Sequence, residues 1–177
     1  MAIARRTVKF DPEKALNAIL WVANRLLRKD FHRIFKVLYF ADKYHLQHYG
    51  RLICGDTYIA MKDGPVPSAI YDMFKAVRGE GHSPYTDDAS AAFSVRNRFF
   101  VQPKKKADAD TLSESDRESL DWAIKKYGRK TFGQLKDESH DEAWEKAAQD
   151  GDIDILDIAR MLEDGEHLVE YLKGTGT

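Results

Sequence analysis

A single cysteine, Cys54, stands in a chain of 177 residues, so no internal disulfide can form, and a reducing cytoplasm is the compartment that fits. No apolar run approaches the roughly 20 residues of a membrane-spanning helix, and the N-terminal MAIARRTVKF lacks the apolar core of a secretory leader. Neither His-Glu-x-x-His nor Cys-x-x-Cys occurs. His45 with His48, and the His140-Asp141-Glu142 triplet, come without further ligands at a recognisable spacing, so no metal or cofactor is expected. Neither G-x-x-x-x-G-K-[ST] nor G-x-G-x-x-G is present, and Gly64-Pro65-Val66-Pro67 cannot cradle a phosphate, because two of its four residues have no amide donor. There is no internal repeat and no low-complexity tract.

What is present is an ordinary globular composition, 43% apolar and 32% charged, with a formal charge of −1. The charge is unevenly placed. Up to Lys106 there are 19 Lys and Arg against 10 Asp and Glu; from Ala107 the numbers are 9 against 19. Either the two halves pack together and mix their charges at the rim, or each presents its field to a partner.

The organising stretch runs from Asp30 to Tyr71. Phe31, Ile34, Phe35, Val37, Leu38, Tyr39, Phe40, Ala41, Tyr44 and Leu46 cover nearly every face of a helix, which predicts a central helix clothed by its neighbours. Asp30 caps its start and Gly50 supplies a left-handed stop. The fold class is mainly α, with one small antiparallel hairpin. We divide the chain into a basic arm over residues 1–10, one domain over 11–173 and a flexible tail over 174–177.

Asp11-Pro12 opens a first helix reaching about Lys29, with Leu16, Ile19, Leu20, Ala23, Leu26 and Leu27 as its apolar stripe. After Gly50, Thr57 to Ile59 is the most strand-like segment. Gly64 to Pro67 reads as a turn that places Pro67 at the first position of a third helix bearing Val66, Ile70, Met73, Phe74 and Val77. Residues 82–92 read as a loop. Phe93–Val95 and Phe99–Val101 flank Arg96-Asn97-Arg98 as a hairpin, lying on the helices or pairing with the Thr57 segment. Lys104–Lys106 reads as a solvated linker.

Ser113 to Asp116 resembles a capping box, and Thr131 to Gln134 opens a short helix in the same way. Ser139 is expected to cap the next helix, with His140 in its first turn, and Asp154 to precede one final helix weakened at Gly165. Asp42, at the edge of the apolar surface, needs Arg51 or loop amides as partner.

Two binding readings and one catalytic reading follow. Lys36, Tyr39, Phe40, Lys43 and Tyr44 are either core or, on an uncovered flank, anchors for a protein partner. Arg51, Asp56 and Tyr58 are grouped with them as candidate partner-binding residues. Basic clusters at Arg5-Arg6-Lys9, Arg25–Lys36 and Lys104–Lys106 could meet phosphates, but the near-neutral total and acidic second half make an extended nucleic-acid site the weaker reading. Cys54 is better read as a packing residue than as a nucleophile.

The string Lys36 to Leu46 (KVLYFADKYHL), then Gly50-Arg51, Gly55-Asp56, Ala60, Gly64-Pro65-Val66 and Tyr71, resembles the Panacea domain of SocA-type antitoxins and related phage-associated proteins. Leu112-Ser113, Tyr127-Gly128, Leu135, Ser139-His140 and Trp144 agree in order, so the likeness spans about Pro12 to Ala159. It implies a mostly helical cytoplasmic domain that neutralises a cognate toxin encoded beside it, through direct protein contact. It supplies no established catalytic residues to carry over. Leu38, Asp42, Gly50, Gly64, Pro65 and Trp144 are the positions that would mark the fold. A homo-oligomer is compatible with it. The alternatives are a nucleic-acid-associated regulatory or phage protein, and a small hydrolase using Cys54 or the histidines.

Overall fold

The computed structural model describes residues 9–174. Most of the expected basic arm, with Arg5 and Arg6, and the end of the tail lie outside the described residues. In chain order the elements are α1 (Pro12–Arg25), α2 (Phe31–Tyr49), β1 (Tyr58–Met61), β2 (Gly64–Pro67), α3 (Ser68–Val77), α4 (Thr86–Ala92), β3 (Phe93–Arg96) and β4 (Phe100–Pro103). A 3-10 turn (Ala109–Thr111) precedes α5 (Glu114–Tyr127), α6 (Phe132–Ser139), α7 (Glu142–Lys146), α8 (Ile155–Arg160) and α9 (Gly165–Leu172).

The central helix is α2. The Asp30 carboxylate accepts from the Arg33 amide at 3.0 Å, and Gly50, at φ +72°, releases the chain in the left-handed conformation. Thirteen of the 19 residues of α2 are buried, from Phe31 to Leu46, including the charged Arg33, Lys36 and Asp42. Against its second half lies α5, with the Tyr127 ring stacked on Phe40 at 3.8 Å and Trp122 on Tyr44 at 4.5 Å. The oppositely charged halves therefore meet: Asp116 of α5 pairs with Lys14 and Arg51, and Asp121 with Arg25.

Local signals hold well. Asp11 caps α1, while Ser113 and Thr131 form the expected capping boxes. Other expectations are corrected. The first helix stops at Arg25, with Leu26 in extended conformation and Leu27 87% exposed rather than in the apolar stripe. Residues 82–92 are not all loop: α4 forms there, packing Ala89 and Ala92 inside. The expected turn at Gly64 is instead β2, which pairs antiparallel with β1, Tyr58 opposite Pro67 and Met61 opposite Gly64. There are thus two hairpins among the described residues.

The outer edge of β1 is taken by residues 150–153, through Ala60 N–H to Gly151 O at 2.9 Å and Ile153 N–H to Tyr58 O at 2.8 Å. The second hairpin docks on the loop between α1 and α2, with Phe31 N–H donating to Phe99 O and Val101 N–H to Lys29 O, each at 2.8 Å.

Two further corrections concern the last third. Asp141, not Ser139, caps α7, while Ser139 closes α6 and His140 follows as its C-cap. The expected final helix is two, because Asp164 turns left-handed at φ +54° before α9. A β-carbon on Gly165 would meet the Arg160 carbonyl oxygen at 2.3 Å, so the break needs glycine there.

Candidate functional site

Around α2 the candidate residues separate into those used internally and those facing outward. Asp42 is buried; it accepts from the Ile53 amide at 2.7 Å and from the Tyr58 hydroxyl at 2.6 Å. Burial pushes its carboxyl up to about 6, against the pull of those two bonds. The loop-amide expectation for Asp42 is met, whereas Arg51 goes to Asp116 at 3.0 Å.

Asp116 also takes Lys14 at 2.9 Å, lies 3.2 Å from His45 Nε2 and completes the Ser113 capping box. Burial would raise its carboxyl. The hydrogen bonds from His45, Lys14 and Ser113 outweigh that and hold it far below the usual range.

Asp56 acts as a helix cap from a distance. Pro67 occupies the N-cap of α3 and has no polar side-chain atom to offer, so the Asp56 carboxylate accepts from the Ala69 and Ile70 amides at 3.0 Å each, and from Thr57 at 2.8 Å. Burial nevertheless raises its carboxyl. Tyr39 donates to Asp141 at 2.7 Å, which also takes Lys43 at 2.9 Å and the Trp144 amide at 3.1 Å. The Trp144 indole reaches the Met61 carbonyl at 2.9 Å, tying α7 to β1.

Lys36 is 1% exposed. Its Nζ donates to the Pro65 carbonyl at 2.8 Å, and burial lowers its ammonium to about 7, with Asp63 opposing. Gly64, at φ +113°, covers this amine: a β-carbon there would lie 2.6 Å from Lys36 Cε and 2.4 Å from Ser139 Oγ.

Lys36, Tyr39, Phe40, Asp56 and Tyr58 thus lie inside, as do Leu38 and Asp42 of the fold-marking set. A partner meeting this conformation would not reach them, because their surface already contacts the core. The solvent-facing flank narrows to Lys43, Tyr44 and Arg51, all partly exposed.

A different surface stands out. The first half of α2, the β1–β2 hairpin, Tyr71 of α3, the tip of the second hairpin and the start of α6 enclose a groove of about 430 Å³. Phe99 and Phe132 line it, 53% and 51% exposed, along with Phe31, Phe35 and Met61. Phe132 stacks on His32 at 3.9 Å, and burial lowers that imidazole to about 4, with Lys36 adding to the effect.

Sequence reasoning passed over Phe99 and Phe132. The available signal was positional: each is an aromatic where turns and helix starts are normally polar, directly after Asn97-Arg98 and after the capping Thr131. A larger recess of about 520 Å³, bordered by Asp56, Tyr58 and Asp154, is less suited to a ligand, since Asp56 and Tyr58 are already spent on α3 and Asp42.

A family model described as Antitoxin SocA-like, Panacea domain, matches residues 34–145, more than half of the chain. The chain belongs to the SocA-like antitoxin family. Its Panacea domain thus takes in most of α2, both hairpins and everything through Glu145 of α7, including the groove residues Phe99 and Phe132. Neither the curated proteins nor the solved structures contain a match. No helix among the described residues is long and apolar enough to cross a membrane.

Proposed function

We propose that this SocA-like protein neutralises a cognate toxin, encoded beside it, by direct protein–protein contact and without bond chemistry of its own. The observation that carries the reading, beside the family, is the groove with two half-exposed phenylalanines, since apolar anchors in a concave patch are what protein interfaces concentrate.

The catalytic alternative draws little support from Cys54. Its thiol is buried, and burial, with Asp42 and Asp56 nearby, pushes it well above its ordinary value, away from the thiolate a nucleophile needs. The nucleic-acid alternative loses much of its central basic cluster: Arg25 pairs with Asp121 and Arg28 with Asp30, Arg33 donates to the Gly128 carbonyl, and Lys36 is enclosed. Lys104–Lys106 stays exposed, as a solvated linker would.

The test is co-expression with the product of the adjacent gene. That product is expected to arrest growth alone, to be silenced by this chain and to co-elute with it in fixed stoichiometry. A harmless product, or one that stays toxic while bound, sinks the reading.

A further inference from the structure

The aromatic groove differs from an ordinary apolar patch in its charge. It is bordered by Arg28, Asp30, Lys62 and Asp63, with Lys36 beneath. Both carboxylates are occupied: Asp30 by Arg28 and Arg33, Asp63 by Lys136 at 3.2 Å. Lys62 is exposed and has no ion partner among the described residues. The groove therefore offers apolar walls and a surplus of positive charge.

We propose that this groove seats a segment of the partner polypeptide in which a large apolar side chain lies beside a carboxylate, the apolar group between Phe99 and Phe132 and the carboxylate toward Lys62. The inference rests on the neutralisation reading above and names the chemistry of its contact. Charge complementarity selects this occupant. A basic segment would bring like charge to Lys62 and a purely apolar one would cover it without a counter-charge, whereas a carboxylate supplies one. A second copy of this chain would bring the same positive groove to the interface and is the less favoured occupant.

Two arms test the proposal on the full chain. In the first, 3-phenylpropionate is titrated and followed by NMR, with 3-phenylpropan-1-ol as the uncharged probe. The carboxylate should shift Lys62 and the Phe99 and Phe132 rings and bind about tenfold more tightly than the alcohol, equivalent to roughly 1.4 kcal/mol. Equal binding of the two probes, or no shift at these residues, overturns the inference.

In the second arm, the complex with the adjacent gene's product is titrated. The double variant Phe99→Ser/Phe132→Ser should weaken binding about a hundredfold and Lys62→Glu about tenfold, while Lys62→Arg and the distant Tyr49→Ser leave it unchanged. Circular dichroism and the urea midpoint of each free variant establish that it folds. A wild-type complex undisturbed by folded groove variants overturns the groove assignment and leaves neutralisation standing. Absence of any wild-type complex removes the neutralisation reading itself. A concentration-dependent homodimer dissociated by the double variant overturns the proposal in favour of self-association.

Discussion

The Tyr58 hydroxyl of β1 donates to the Asp42 carboxylate of α2 at 2.6 Å, with both side chains buried. The bond joins the central helix to the first hairpin, and with the Ile53 amide it holds a carboxylate that burial would otherwise drive neutral. Tyr58→Phe should lower stability by about 1–3 kcal/mol at pH 7 to 8, because the charged carboxylate loses a buried partner. At pH 5, where Asp42 is largely protonated, the loss should be smaller. Urea unfolding of both proteins at the two pH values checks this, and an equal loss at both contradicts it.

His32 and Asp42 should oppose each other in acid. The folded-state carboxyl of Asp42 is raised to about 6, so its contribution is fully present below the unfolded value of 3.8 and is lost as pH rises through 6. His32 is lowered to about 4, so its contribution is present above 6.5 and is lost as pH falls toward 4. Relative to the wild type, His32→Gln should shift the stability slope between pH 4 and 6 toward decline, and Asp42→Asn should shift it toward rise. Urea midpoints across that range report the two signs.

Lys36 governs the neutral-to-alkaline side. Its folded pKa of about 7 lies below the ordinary 10.5, so the unfolded chain binds more protons between these values and stability should rise with pH. The groups facing the amine are Asp63, which opposes the shift, His32 and His140. Lys36→Met should be more stable than wild type at pH 7 if the methyl thioether fills the same space, and its advantage should shrink by pH 9. A constant difference between the two proteins over that range would contradict the assignment.

Gly64→Ala and Gly79→Ala separate crowding from backbone strain. Both glycines have positive φ, +113° and +86°, but a β-carbon at Gly79 meets nothing within 4 Å, whereas at Gly64 it meets Lys36 and Ser139. The expected losses are about 1 kcal/mol at Gly79 and about 3 kcal/mol or more at Gly64, read from urea midpoints.

Asp116→Asn should cost about 3–5 kcal/mol at pH 7, since Lys14 and Arg51 would lose their shared buried counter-charge. The Asp116 carboxyl is held below its unfolded value of 3.8, so its contribution is lost as pH falls below about 4. Acid unfolding followed by far-ultraviolet circular dichroism should show the variant's deficit disappearing at low pH.

Helix starts and the central helix are legible in the sequence, while the candidate contact surface is not. A cap acts within three or four residues, so Asp11, Asp30, Ser113 and Thr131 announce themselves locally, and an apolar residue on every face of α2 can only mean burial. The break at Asp164 was missed because the apolar period continues across it from α8 into α9. The strand at Gly64–Pro67 was missed because two prolines argue for a turn; all four residues are buried, packed on α2 and α6, which are distant in the chain.

The amino-acid order by itself determined the helical class, the punctuation of most segments, the central place of α2 and the family. Tertiary structure alone decided which polar groups are consumed inside, sending Arg51 to Asp116, Asp56 to the start of α3 and Lys36 beneath Gly64. It also assembled the groove, whose walls come from segments as far apart as Phe31 and Phe132. Local periodicity reports whether a side chain faces inward. Its partner there is set by how elements remote in sequence come to lie together, which no short window contains.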